Sequence, residues 1–139
     1  MNAVRKQGIN PLICLDYPDP DVIRVDDTYY MVSTTMHFMP GCEILRSYDL
    51  VNWEHASYVY DVLDSTPAQK LEGEQNIYGK GMWAACLRYH KGTFYICFVA
   101  NDTKKTYLYS APSIEGPWKK DYIQGFYHDC SILFDDDDR

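Results

Sequence analysis

An all-β fold made of repeated strand units is what this sequence predicts, on three observations. The chain resembles itself at a fixed shift, short strand-turn-strand signals recur in each copy, and helical periodicity is nearly absent. The repeat is clearest when Asp19-Pro20-Asp21-Val22-Ile23-Arg24-Val25-Asp26-Asp27-Thr28-Tyr29-Tyr30 is set beside Ala84-Ala85-Cys86-Leu87-Arg88-Tyr89-His90-Lys91-Gly92-Thr93-Phe94-Tyr95. Each stretch passes from a small or polar residue through apolar positions to a turn, then to a Thr and two aromatics. The shift from Asp19 to Ala84 is 65 residues, and Tyr29–Trp53 and Phe94–Trp118 are each 24 apart. A third copy opens at Asp129-Cys130-Ser131-Ile132-Leu133-Phe134-Asp135-Asp136-Asp137 and matches residues 19–27 at its acidic, apolar and turn positions.

Taken in order, Val22–Val25, the turn Asp26-Asp27 and Tyr29–Val32 read as strand, turn and strand, because β-branched and aromatic residues flank a polar pair. Leu87–Tyr89, the turn His90-Lys91-Gly92 and Phe94–Val99 repeat the pattern. Thr106–Tyr109 supplies a further strand, and Tyr122-Ile123 starts another. Residues 60–72 carry the one hint of a helical turn. Roughly four strands per copy is the mark of a propeller blade. A barrel or a sandwich also accommodates such strands, but neither requires a repeat of this length. Two copies do not close a propeller, and an open one exposes strand edges. The chain therefore reads as the N-terminal portion of a single propeller domain. Blade 1 covers about 19–80, blade 2 about 81–127, and 128–139 opens blade 3, with the C-terminal blades as its missing partner.

Composition narrows the function. Apolar residues make up 46% of the chain, enough for a packed core. Of the aromatics, 13 are Tyr against 5 Phe and 3 Trp, and Tyr combines a flat ring with a polar tip suited to sugars. The net charge of −7 argues against nucleic acid, which needs clustered Lys and Arg. No apolar run long enough for a membrane span occurs. The five cysteines, Cys14, Cys42, Cys86, Cys97 and Cys130, form no C-x-x-C pair. Free, mostly buried thiols in a reducing compartment are expected, rather than a zinc site. Residues 1–10 lack an apolar leader core, so if Met1 is the true start the protein is cytoplasmic.

In a propeller, equivalent positions of successive blades converge on the axis. Asp19 and Asp129 share one repeat position, and the middle copy places Ala84 there, beside Trp83. Two carboxylates and a Trp edge are thus expected at one axial pocket, an arrangement suited to glycoside hydrolysis. The residues alone equally allow Asp19 and Asp129 to cap strand ends or satisfy turn amides.

Several segments resemble glycoside hydrolase family 43. They are Asn10-Pro11, Asp16-Tyr17-Pro18-Asp19-Pro20-Asp21-Val22, Tyr29-Tyr30 and Ser47-Tyr48-Asp49-Leu50-Val51-Asn52-Trp53. Gly81-Met82-Trp83-Ala84-Ala85 and the stretch from His128 to Asp136 complete the set. The resemblance implies a five-bladed β-propeller and inverting hydrolysis of arabinose- or xylose-containing plant polysaccharides and oligosaccharides, of the α-L-arabinofuranosidase or β-xylosidase type. It implies that Asp19 is the general base, and that Asp129 raises the pKa of the catalytic acid and orients the sugar. The family's general acid is a Glu in a later blade, and no residue here matches its motif, so the isolated segment is expected to be inactive. Trp83-Ala84-Ala85, Asp129-Cys130-Ser131 and Asp137-Asp138-Arg139 depart from the commoner Trp-Ala-Pro, Asp-Pro-Ser and Asp-Gly-Arg. These departures leave the subgroup, and so the substrate, undefined.

Trp83 is expected to be a sugar platform. His128, beside Asp129, lines the sugar subsite or serves in packing. Met36 and His37 lie in a loop expected at the pocket rim, and a lone His is more often structural than a ligand. Trp53 and Trp118 read as core. Glu72 and Glu74 lie in a polar loop and are not taken as the acid. The run from Asp135 to Asp138 lacks the glycine and spaced ligands of a calcium loop and reads as a solvated turn. No cofactor or metal is expected, although structural calcium occurs in some relatives. Two other readings stay open: a non-catalytic carbohydrate-binding propeller, and a glycosidase of a neighbouring five-bladed family.

Overall fold

The computed structural model describes residues 8–137. Eight strands form two four-stranded antiparallel sheets in sequence order. The first comprises β1 (Asp21–Val25), β2 (Thr28–Val32), β3 (Gly41–Ser47) and β4 (Glu54–Tyr60). The second comprises β5 (Met82–His90), β6 (Thr93–Ala100), β7 (Lys105–Ala111) and β8 (Lys119–Ile123). Consecutive meanders of this kind are propeller blades.

Local chemistry explains the strands. In β1, Val22 and Arg24 are exposed between half-buried Asp21, Ile23 and Val25, the period-two pattern of a sheet with one covered face. The β5–β6 hairpin closes through Lys91 and Gly92, with φ of 46° and 82°. Positive φ at both central residues is what the twist of a two-residue hairpin demands. Between β3 and β4, the motif from Ser47 to Trp53 is a turn builder. Asp49 accepts hydrogen bonds from Asn52 N (2.8 Å), Val51 N (2.9 Å) and Asn52 Nδ2 (2.7 Å). Those donors, Asn52 and Val51 first, hold its carboxyl well below the usual range.

The core lies between the two sheets. Val32, Ile44, Met82, Leu87, Ile96, Phe98 and Tyr107 are fully buried there. From Ile96 to Ala100, β6 is buried on successive residues, so both faces are covered. Every residue of β8 is exposed. Tyr122 and Ile123 close that strand rather than open one.

Residues 61–81 connect the sheets and explain the unequal repeat spacing. Asp19 to Ala84 is 65 residues, whereas Ala84 to Asp129 is 45. This connection contains one helical-type turn, closed by Lys70 N to Thr66 O at 3.0 Å, and no helix. Its anchor is Asp64, whose side chain is 8% exposed. Lys105 Nζ (2.7 Å) and Tyr107 OH (2.9 Å) donate to one oxygen, and Lys120 Nζ (3.0 Å) and Tyr122 OH (3.0 Å) to the other. Burial alone would raise the Asp64 carboxyl, but the four donors outweigh it and hold it below the ordinary range.

Candidate functional site

Asp19, Asp21, Ala84, Ala85, Cys86, Arg88, Asp129, Cys130 and Ser131 line one open cavity of about 220 Å³. Three of these, Asp19, Ala84 and Asp129, are the repeat-equivalent positions. Their φ angles are 50°, 44° and 53°. Left-handed backbone costs a non-glycine residue about 1–2 kcal/mol, so its recurrence at one repeat position is an architectural property of the axial end of each copy. At Ala84 it coincides with the register break of β5 between Trp83 and Cys86. Asp21, Cys86 and Ser131, two residues further on in each copy, form a second set of equivalents on the same wall.

Asp19 is held from behind. Ser33 Oγ (2.7 Å) and Thr34 N (3.0 Å) bind the carbonyl of Pro18. Thr34 Oγ1 donates to Asp19 Oδ2 at 2.8 Å and accepts from Ala84 N at 2.8 Å. A relay thus runs from the backbone of the second sheet through the Thr34 hydroxyl to the carboxylate of the first. Asp19 is exposed, and its Oδ1 has no hydrogen-bond partner among the described residues.

Asp21 does different work. Its Oδ2 accepts from Leu87 N and Arg88 Nη1, both at 2.8 Å. Arg88 also donates to Ser131 Oγ (3.2 Å) and Ile132 O (3.2 Å). One guanidinium therefore ties three successive copies together around the cavity.

Asp129 Oδ1 pairs with His128 Nδ1 at 2.9 Å, and both side chains are substantially exposed. The His128 ring lies 6.2 Å from Trp83 and 6.1 Å from Phe126. Trp83 Nε1 is buried and has no partner among the described residues. Asp19, Asp129, Trp83 and His128 are therefore gathered at one end of the two sheets.

Met36 and His37 are not in this group. Met36 is fixed by its backbone, through reciprocal bonds with Met82 at 2.9 and 3.1 Å, and lines a neighbouring cavity with Pro18, Thr34 and Tyr58. Gly81 permits the approach: a Cβ there would lie 2.1 Å from Met36 O. His37 stacks on Phe38 (4.5 Å) and Tyr78 (4.8 Å), and its Nδ1 accepts from Gly79 N at 3.2 Å. It lines a wider cavity of about 840 Å³ with Gln69, Lys70 and Tyr78, between its loop and the 61–81 connection.

Thr34, Asp21 and Arg88 are site residues that the motif reading did not single out. Arg88 carried a signal: its repeat equivalents, Ile23 and Leu133, are aliphatic. Glu72 and Glu74 are exposed and do not line this cavity. Asp135 Oδ1 accepts from Asp137 N at 3.0 Å, a local turn, while Asp138 lies outside the described residues. Among the described residues there is no group of three or more His, Cys, Asp or Glu placed to hold a metal ion.

Comparison with known proteins points to one family. A β-xylosidase of Formosa agariphila is 39% identical over 112 residues, covering 81% of this chain and 19% of that protein. A non-reducing end α-L-arabinofuranosidase of Bacteroides ovatus is 30% identical, covering 98% of this chain and 26% of that protein. Among solved structures, a bifunctional GH43-CE protein of Bacteroides eggerthii superposes with a TM-score of 0.89 at 48% identity, over 94% of this chain and 19% of its own. A xylan β-1,4-xylosidase of Bacillus halodurans gives 0.78 at 34% identity, over 96% and 26%. The chain thus spans about a fifth to a quarter of the length of these proteins. The model of the glycosyl hydrolases family 43 matches residues 9–139, and this chain belongs to that family.

Proposed function

We propose that this chain carries the water-activating side of an inverting glycosidase acting on β-xylosyl or α-L-arabinofuranosyl linkages. The observation that supports this most is the convergence of Asp19 and Asp129, from separate copies, on one open cavity. Asp19 is the general base. Thr34 holds Oδ2, which leaves Oδ1 to take a proton from water. That water attacks the anomeric carbon on the face opposite the leaving group, so the product is inverted. Asp129, oriented by His128, binds the sugar and disfavours ionisation of the nearby catalytic acid. Asp21 is not that acid, because Arg88 and Leu87 N occupy its Oδ2 and make it a fastener between copies. The acid comes from the remaining blades of the five-bladed propeller, the partner this segment requires.

Asp19→Asn tests the assignment in the complete enzyme with aryl xyloside and arabinofuranoside substrates. Turnover is expected to fall by about 10²–10⁴-fold while sugar binding persists, because a carboxamide keeps the shape but accepts no proton. Near-normal turnover in that variant would sink the proposal.

A further inference from the structure

Three thiols gather beside the axial cavity. Cys86 and Cys97 are directly opposite across β5 and β6. Cys130 follows Asp129, and its Sγ lies 3.2 Å from Cys97 Sγ. Cys86 is engaged otherwise: its Sγ accepts from Ile132 N at 3.4 Å, which leaves Cys97 and Cys130 facing each other. We propose that Cys97 and Cys130 are an oxidisable dithiol, whose disulfide tethers the stretch carrying Asp129 to β6.

The geometry is close to that of the product. A disulfide needs about 2.05 Å between sulfurs, roughly 1 Å less than the present separation. Both backbones are already fixed. Cys97 sits in the middle of β6. The stretch after Cys130 is held by Arg88 at Ser131 and Ile132, and by Phe134 stacked 4.3 Å from His90. Little conformational freedom remains to be lost on bond formation.

Access sets the order of events. Cys130 is partly exposed and lines the open cavity, whereas Cys97 is 2% exposed. Burial also pushes the Cys97 thiol up, which makes it the poorer first nucleophile and leaves the opening attack to Cys130. The oxidant is a low-molecular-weight disulfide. The Cys130 thiolate attacks one of its sulfurs, that S–S bond breaks, and the first small thiolate leaves and takes up the proton lost by Cys130. The Cys97 thiolate then attacks Cys130 Sγ, and the second small thiolate leaves with the proton lost by Cys97. Two protein thiols thereby give two electrons and two protons to the small disulfide, which becomes two thiols.

The test uses a Cys14→Ser protein, which removes the exposed competing thiol. It is equilibrated with oxidised and reduced glutathione, quenched with acid, alkylated and digested without reductant. Mass spectrometry is expected to find a Cys97–Cys130 linked peptide that dithiothreitol removes. The peptide should persist in Cys86→Ala and vanish in Cys130→Ala. Full alkylation of Cys97 and Cys130 at every glutathione ratio would overturn the proposal. So would accumulation of glutathione on Cys130 without the link, or a Cys86–Cys97 bond in its place. The readout is a covalent bond, so the result stands apart from whether the protein hydrolyses glycosides.

Discussion

The two sheets place different chemistry on one backbone. Asp19 and Ala84 hold the same repeat position with φ of 50° and 44°, yet only the first presents a carboxylate. If the left-handed turn existed to aim a carboxylate, the alanine would have no reason to keep it, because alanine tolerates that region poorly. The conformation therefore belongs to the blade, and the side chain placed on it decides whether that blade contributes chemistry. The contrast extends to dependence. Asp19 is held by a hydroxyl that the backbone of Ala84 holds in turn, so the inert position supports the reactive one.

The largest test of that contrast is Asp19→Asn, with its expected loss of about 10²–10⁴-fold in turnover and unchanged thermal stability, because Asn is also tolerated in left-handed backbone. Next in size is Asp64→Ala, which strips the connection between the sheets of its anchor. A loss of about 2–4 kcal/mol is expected in urea unfolding, below the range for fully buried pairs because both lysines are partly exposed. The pH dependence has a defined sign. The folded Asp64 carboxyl lies below its unfolded value of about 3.9, so its contribution is full above that value and disappears as pH falls toward the folded one. The gap between the parent protein and Asp64→Ala should therefore close on acidification, and a gap that widened would contradict the assignment.

Thr34→Val should cost about 1–3 kcal/mol, because it leaves the Ala84 N–H without its acceptor beside a Thr34 that is only 6% exposed. It should also lower kcat. A double-mutant cycle with Asp19→Asn should show that the kcat penalty vanishes once the carboxylate is gone. Additive penalties would mean that Thr34 acts on folding alone. Smallest is Ala84→Gly, expected to stabilise by about 0.5–1 kcal/mol through relief of the left-handed turn. Destabilisation, read by calorimetry, would show that the Ala84 methyl contributes more by packing than the turn costs.

Much of the fold was legible because propeller copies repeat their turns as well as their strands. The shift between Asp19 and Ala84 marked a position whose backbone recurs, and the Val22–Val32 and Leu87–Val99 hairpins were visible as apolar pairs around polar turns. β3 and β4 were harder to place. Glu43 and Arg46 interrupt the first, and Glu54-His55 opens the second with two exposed polar residues. At the site, a repeat reading finds residues that share a position, so it reached Asp19 and Asp129. It could not reach Thr34, whose role exists only through contacts 15 and 50 residues away. Met36 and His37 do not line the cavity of Asp19 and Asp129. The Met36–Met82 bridge fixes their loop, and Met36 lines a neighbouring cavity whose wall includes Pro18 and Thr34, the residues that hold Asp19.

Arg88 has a consequence for assembly. Sheets that resemble one another can pair with the wrong neighbour as a chain folds, a characteristic error of repeat proteins. The charge at position 88 stands where the flanking copies carry Ile23 and Leu133, and its partners Asp21 and Ser131 lie one on each side. It works as an address label: only the middle copy can sit between those two neighbours without stranding a guanidinium. Arg88→Leu should therefore leave each sheet intact but lower the yield of correctly ordered molecules on refolding. An undiminished yield would show that loop lengths alone set the order.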